Sequence, residues 1–88
     1  MAMTATTTNL SVVREGESVR VQDIEGGHYF LSRLASLGFT PGVSLRVVQN
    51  VGRGPLIVNL RDTRVALGRG EASKIVVERL PGDGNGKN

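Results

Sequence analysis

The chain has 88 residues, of which 39% are hydrophobic and 22% charged, and it contains no cysteine. This length and composition fit one small globular domain, and they exclude an interdomain catalytic cleft, a disulfide framework and any thiolate nucleophile or metal ligand. The net charge of +3 comes from 11 basic residues, nine of them arginine, against eight acids, and arginine suits planar recognition of carboxylate or phosphate.

The two ends of the chain differ in composition from the middle. Residues 1–9 are rich in threonine and uncharged, and they lack the basic start and apolar stretch of a signal peptide. No run in the chain approaches the roughly 18 apolar residues of a membrane span. We therefore expect a cytoplasmic protein with a flexible leader at 1–9, a folded domain at 10–80 and a disordered Pro/Gly/polar tail at 81–88.

Within the expected domain, apolar and polar residues alternate with a period of two, which indicates β-strands. Five such segments are separated by turn signals, which favours a small all-β barrel or sandwich. The alternating apolar residues are Val19 and Val21; Val43, Leu45 and Val47; Leu56, Val58 and Leu60; Val65 and Leu67; and Ile75 and Val77.

One segment has a helical period instead. Phe30, Leu34 and Leu37 recur at i, i+4 and i+7, which predicts an amphipathic helix at 28–37. Gly38 follows at the position where a left-handed C-cap needs no Cβ.

Turn signals surround the predicted strands. We expect Phe39 to fold back onto Leu34 in the core, and Thr40-Pro41-Gly42-Val43 to form a type II turn. Gly52–Pro55 predicts a hairpin loop and Arg61–Arg64 a second turn, while Gly68–Gly70 ends a strand before one helical turn at Glu71–Lys74.

These elements resemble the FeoA family, whose members are small cytoplasmic accessory proteins of bacterial ferrous-iron transport. The resemblance is carried by the run Leu37–Gly42 (Leu-Gly-Phe-Thr-Pro-Gly) and the strand Leu45–Val48 that follows it. The family usually has a glycine in the turn occupied here by Asp62-Thr63, which is the one clear departure. Further matching positions are Leu10, Glu15-Gly16-Glu17, Leu34, Gly54-Pro55-Leu56, Val65-Ala66-Leu67 and Ala72–Val77.

The resemblance implies an SH3-like barrel of about five strands with one inserted helix. It also implies a non-catalytic role in ferrous iron uptake, with the FeoB membrane transporter as the partner and Fe(II) met only through that transport system. The same domain is similar to the C-terminal appendage of iron- and manganese-dependent repressors. Since 88 residues leave no room for a preceding helix-turn-helix, a stand-alone protein is expected.

Two alternatives to a transporter accessory stay open. One is a regulatory interaction module related to the repressor appendage, which includes self-association through an exposed strand edge. The other is a basic nucleic-acid-binding barrel, which the basic charge allows. An aromatic content of 3% and scattered arginines argue against nucleic acid, because bases need aromatic stacking partners.

Catalytic and metal-binding signals are few. The chain has one histidine and no Gly-x-Ser-x-Gly motif, so no nucleophile has an evident base, and we predict that the protein is not an enzyme and holds no cofactor. His28 is the only metal candidate, with Glu17, Asp23 and Glu25 as conceivable partners. Since one histidine with carboxylates is a poor ligand set for iron or zinc, we expect His28 to face solvent at the start of the helix.

Two kinds of residue could instead form a partner surface. Exposed arginines in the second half of the chain would make an electropositive patch, although they could equally be ordinary solvated strand exteriors. Val48, Ile57 and Val76 have the phase opposite to the core residues, so they would form an apolar patch unless the strands change phase at bulges. The partner-binding candidates are Tyr29, Arg46, Val48, Arg53, Arg61 and Arg64.

Overall fold

A computed structural model of the protein describes residues 7–80. Its elements confirm an all-β protein with one short inserted helix, and no described helix is long and apolar enough to cross a membrane. In chain order they are β1 (Thr7–Asn9), a 3-10 helix (Leu10–Val12), β2 (Ser18–Ile24), α1 (His28–Ser36), β3 (Ser44–Gln49), β4 (Leu56–Leu60), β5 (Thr63–Leu67), α2 (Arg69–Ala72) and β6 (Ile75–Arg79).

The strands form one antiparallel sheet in the order β1-β6-β2-β3-β4-β5. It has six strands rather than the five expected, because Thr7–Asn9 pairs with β6. The expected leader at 1–9 is therefore wrong for its last three residues. Asn9 has a structural role, since its side chain accepts a hydrogen bond from the Ser11 amide at 3.0 Å and caps the 3-10 helix. Residues 1–6 and the predicted tail at 81–88 lie outside the described residues.

A single hydrophobic core lies beneath the sheet. The predicted alternation is confirmed, because every apolar residue assigned to the inner phase is buried, and the Cβ atoms of a strand alternate between its two faces. The buried residues are Leu10, Val13, Val19, Val21, Leu34, Phe39, Val43, Leu45, Val47, Leu56, Val58, Leu60, Val65, Leu67, Ala72, Ile75 and Val77.

Helix α1 ends as its sequence predicts. The amide of Phe39 donates to the Leu34 carbonyl and the amide of Gly38 to the Ala35 carbonyl, which is the Schellman arrangement, and Gly38 has a φ of 102°. Phe39 then enters the core, as expected. The buried apolar stripe of α1 is shorter than predicted, because Leu37 is 41% exposed. Leu37 is the C-cap, and the chain leaves the helix directly after it.

Two bulges change the phase of the sheet. The pairing of β3 with β4 shifts between Val47 and Gln49, so Val48 is the extra residue and is half-buried. The second bulge is at Gln22, where the pairing of β2 with β6 shifts by one residue. Ile57 and Val76 are also half-buried. The expected apolar patch of Val48, Ile57 and Val76 is therefore not an exposed surface, because all three residues are half-buried and Val48 lies in a bulge.

The turns around β3, β4 and β5 fix the strand ends. The amide of Val43 donates to the Thr40 carbonyl at 3.1 Å and Gly42 has a φ of 97°, which confirms the type II turn. The turn after β4 is shorter than expected, because only Arg61 and Asp62 lie between the paired residues Leu60 and Thr63.

Candidate docking surface

Two of the candidate residues, Arg46 and Arg64, belong to one row across the outer face of the sheet. Arg46 of β3 pairs with Asn59 of β4, and Asn59 pairs with Arg64 of β5. Neighbouring strands lie about 4.8 Å apart, so the backbones at Arg46 and Arg64 are about 10 Å apart, with Asn59 between them. Register alone produces this juxtaposition, since 18 positions separate the two arginines along the chain.

The row is electrostatically unbalanced. Within residues 7–80, carboxylates lie near Arg20 (3.7 Å to Glu78), Arg33 (2.5 Å to Glu71) and Arg79 (3.4 Å to Glu17). Across the same part of the chain, no carboxylate oxygen lies within 4.0 Å of the guanidinium groups of Arg46, Arg61 or Arg64. The side chain of Arg64 donates to Asn59 Oδ1 at 3.3 Å through Nε, so the N–H groups of its two terminal nitrogens can still donate to another acceptor.

Arg61 extends this positive surface at the end of the β4–β5 hairpin. It has a φ of 59° and is the single non-glycine residue with positive φ among residues 7–80. We call Arg46, Asn59, Arg61 and Arg64 together the arginine row. Beside it lies an open depression of about 310 Å³, which is lined by Gly16 and Val48 as well as by Arg46, Asn59 and Arg64.

The other predicted docking residues lie elsewhere. Arg53 is in the β3–β4 loop, at the end of the hairpin opposite to Arg61. The five residues of β4 between these ends span about 13 Å. Tyr29 is the second residue of α1 and is 86% exposed. The structure therefore brings together Arg46, Arg61, Arg64 and Val48 and separates them from Arg53 and Tyr29.

Sequence analysis did not identify a second organised region, which is built around Asn50. The side-chain amide nitrogen of Asn50 donates to the carbonyls of Ser11 (3.1 Å) and Val13 (2.7 Å). Its side-chain oxygen accepts hydrogen bonds from the amide of Gly52 and from Arg69 Nη1, both at 3.1 Å. One side chain thus joins the 3-10 helix, and Val13 directly after it, to the β3–β4 loop.

Arg69 completes this network from the start of α2. Its guanidinium donates to the carbonyls of Ser11 at 2.6 Å and Gly54 at 3.2 Å, as well as to Asn50. The network frames an open cleft of about 630 Å³, at whose rim Val12 and Val51 are 52% and 67% exposed. The only sequence signal was an asparagine directly after a strand and an arginine between two glycines, and both are also common in ordinary turns.

The two helices are joined by an ion pair. Arg33 Nη1 of α1 lies 2.5 Å from Glu71 Oε2 of α2, and Glu71 Oε1 accepts the Gly68 amide at 3.0 Å. The hydrogen bond from Arg33 and, next, the one from the Gly68 amide lower the pKa of Glu71 below its ordinary value, against a smaller opposing effect of burial. This carboxylate therefore fixes the end of α2 next to the Asn50 network.

His28 is the first residue of α1 and is exposed, as expected for a residue at the start of a helix. Over residues 7–80, no group of three or more histidine, cysteine, aspartate or glutamate side chains is placed to hold a metal ion. Glu17, one of the conceivable partners of His28, lies instead against Arg79.

Comparisons with known proteins identify both the fold and the family. The FeoA domain family matches residues 8–79. A protein of Methanocaldococcus jannaschii that is named for Fe(2+) transport (transport protein A) is 41% identical over 69 residues, which cover 78% of this chain and 83% of that protein. A crystal structure described as the iron uptake regulatory protein FeoA superposes with a TM-score of 0.81 at 33% identity, over 85% of this chain and 100% of that one.

A third relative connects the fold with a named architecture. The zinc complex of FeoA from Stenotrophomonas maltophilia, described as a prokaryotic SH3 domain protein, is 36% identical with a TM-score of 0.68, over 80% of this chain and 88% of that one. The fold is thus SH3-like, as expected. The chain belongs to the FeoA family.

Proposed function

We propose that this protein is a non-catalytic accessory protein of ferrous iron transport that docks on the FeoB membrane transporter through the arginine row. Iron is the cargo of the transporter in this proposal, and the protein itself needs no cofactor. Family membership supports the transport role. The observation that carries the docking surface is the alignment of Arg46 and Arg64 on either side of Asn59 on one outer face, without a carboxylate beside either in residues 7–80.

A row of unpaired arginines favours recognition of an acidic surface. Exposed guanidinium groups steer a negatively charged partner and accelerate its association, whereas the charges of Arg20, Arg33 and Arg79 are balanced by the carboxylates beside them. Arg46 and Arg64 also present planar donors that can hold carboxylates in a bidentate manner. Affinity for the transporter should therefore fall as ionic strength rises.

A capture experiment with full-length FeoB in detergent tests this proposal, with GDP and with a GTP analogue. We expect saturable capture of the wild-type protein and a loss of at least about tenfold in affinity for the double variant Arg46→Glu/Arg64→Glu, because reversal of rim charges weakens electrostatic association. Arg14→Glu is the matched control, since Arg14 is also exposed and lies at the other cleft, beside Val12.

The outcomes separate the two parts of the proposal. Equal capture of wild-type protein and the double variant would remove the arginine row from the interface. Loss of capture with Arg14→Glu alone would assign docking to the cleft framed by Asn50 and Arg69. Absence of wild-type capture in both nucleotide states would contradict the transporter as partner.

A further inference from the structure

The last strand of the sheet leaves one edge open. Strand β5 is at the end of the strand order and pairs only with β4. Because the hairpin has two loop residues, Leu60 and Thr63 form a closely hydrogen-bonded pair, and such pairs alternate along an antiparallel ladder. The N–H and C=O groups of Arg64 and Ala66 therefore point away from β4, toward the outside of the sheet.

No described residue forms a hydrogen bond with this edge. Within residues 7–80, no backbone or side-chain hydrogen bond reaches the main-chain groups of Arg64 or Ala66, and both residues are exposed. The strand contains no proline and no bulge, and Arg64 is its single charged residue, so an incoming strand without acidic residues would meet a charge that disfavours pairing. The opposite edge is different, because β1 has only three residues and runs directly into the 3-10 helix.

The side chains at this edge indicate which strand it would accept. An added strand would place its outward side chains next to Arg64 and Ala66, and cross-strand neighbours of opposite charge stabilise a sheet. Arg64 and nearby Arg61 favour acidic residues there, and the small side chain of Ala66 leaves space for a larger neighbour. A second copy of β5 is disfavoured, because antiparallel pairing centred on Val65 would bring two Arg64 side chains to diagonal positions about 7–8 Å apart.

We propose that β5 binds an extended acidic segment of the transporter by strand addition, so that the partner chain becomes the next strand of the sheet. This inference rests on the proposed docking function and specifies its geometry. The arginine row then continues across the interface, with carboxylates of the added strand beside Arg64. Arg64 and Ala66 can each exchange two backbone hydrogen bonds with the partner, which gives four bonds over three residues of β5.

The test uses Ala66→Pro, since proline removes only the outward N–H and is tolerated at strand edges. The ladder with β4 does not use that N–H. Ala66→Thr is the matched control because it keeps the amide and has good strand propensity. In the FeoB capture experiment we expect Ala66→Pro to bind at least about tenfold more weakly than wild type, as for a lost and obstructed hydrogen bond, and Ala66→Thr to bind within about twofold.

A second measurement does not depend on any variant folding. Hydrogen-exchange mass spectrometry of the wild-type complex should show slowed exchange in peptides that cover Thr63–Leu67. Capture without such protection, or equal capture of Ala66→Pro, would overturn strand addition and leave the docking function standing. Absence of wild-type capture would overturn both. Protection of the same peptides in the isolated protein, together with a dimer in sedimentation, would assign the edge to a second copy and overturn the acidic segment.

Discussion

Arg61 is held in a backbone conformation that its side chain disfavours. Its φ of 59° lies in the left-handed region, which costs a non-glycine residue about 1–2 kcal/mol, and residues strained in this way cluster at functional sites. Arg61 stands at the tip of the β4–β5 hairpin, beside the open edge of β5. Its charge is thus placed next to the proposed partner strand at the expense of stability.

The substitution Arg61→Gly should therefore stabilise the fold and weaken docking. We expect the free energy of unfolding to rise by about 0.5–1 kcal/mol, because relief of strain exceeds the extra chain entropy of glycine. Urea unfolding measures this change, with Asp62→Gly as the control, since Asp62 has no positive φ to relieve. A destabilised Arg61→Gly protein would show that the side chain contributes more than the backbone strain costs.

Asn50 acts as a connector between segments that are distant in sequence. Its side chain donates hydrogen bonds to the carbonyls of Ser11 and Val13. It also accepts hydrogen bonds from the Gly52 amide and from the guanidinium group of Arg69. Replacement by alanine would remove all four bonds: the Ser11 carbonyl keeps its bond from Arg69, whereas the Val13 carbonyl loses the partner that Asn50 supplies. Each lost bond costs about 1 kcal/mol.

We expect Asn50→Ala to lower the free energy of unfolding by about 2–3 kcal/mol. Gln49→Ala is the matched control and should change it by less than about 0.5 kcal/mol, because Gln49 is an exposed neighbour. Thermal or urea unfolding of the two variants measures the contrast. Similar stabilities of the two variants would mean that water replaces the Asn50 network without cost.

At the scale of the elements, the contact between α1 and α2 includes an ion pair made by the carboxylate of Glu71. The hydrogen bond from Arg33 lowers the pKa of Glu71 in the folded state, so ionised Glu71 stabilises the fold above the ordinary glutamate pKa of about 4.3. This contribution is lost as the pH falls through the lower folded-state pKa. It should amount to about 0.5 kcal/mol, since solvent screens an exposed pair.

Glu71→Gln should therefore destabilise the protein at pH 6 and have a smaller effect at pH 3. Urea unfolding of wild type and variant at both pH values gives the comparison. In an Arg33→Ala background the same substitution should show a weaker pH dependence, because the main cause of the lowered pKa is absent. A Glu71→Gln effect that is equal at both pH values would refute the coupling between α1 and α2.

The elements that sequence analysis predicted correctly depend on local signals. The cap of α1, from Leu34 to Phe39, and the turn at Pro41-Gly42 are encoded within a few adjacent residues, and strand alternation identified the core of every long strand. The bulge at Val48 was not predictable, because a bulge depends on which residue of a partner strand lies opposite. The arginine row has the same origin: Arg46 and Arg64 become neighbours only through the register of β3, β4 and β5.

At the scale of the whole molecule, the sheet is closed at one end by residues from both ends of the described chain. Strand β1 pairs with β6 across about 70 positions, as in Thr7 with Glu78. Sequence patterns cannot reveal such a pairing, since three residues are too few to show alternation. The pairing makes β1 one outer strand of the sheet and β5 the other. Of these two, β5 is longer, with five residues against three.

This arrangement predicts that Thr7–Asn9 belongs to the folding unit. A chain that begins at Leu10 should be less stable than one that begins at Thr7 by about 2–4 kcal/mol. It loses the β1–β6 hydrogen bonds, at about 1 kcal/mol each, and the Asn9 cap of the 3-10 helix, at about 1 kcal/mol. Urea unfolding of the two chains measures the difference, and the variant Asn9→Ala in the longer chain isolates the part due to the cap.

Equal stability of the two chains would show that Thr7–Asn9 does not belong to the folding unit. A deficit matched by Asn9→Ala alone would assign their contribution to the cap rather than to the strand.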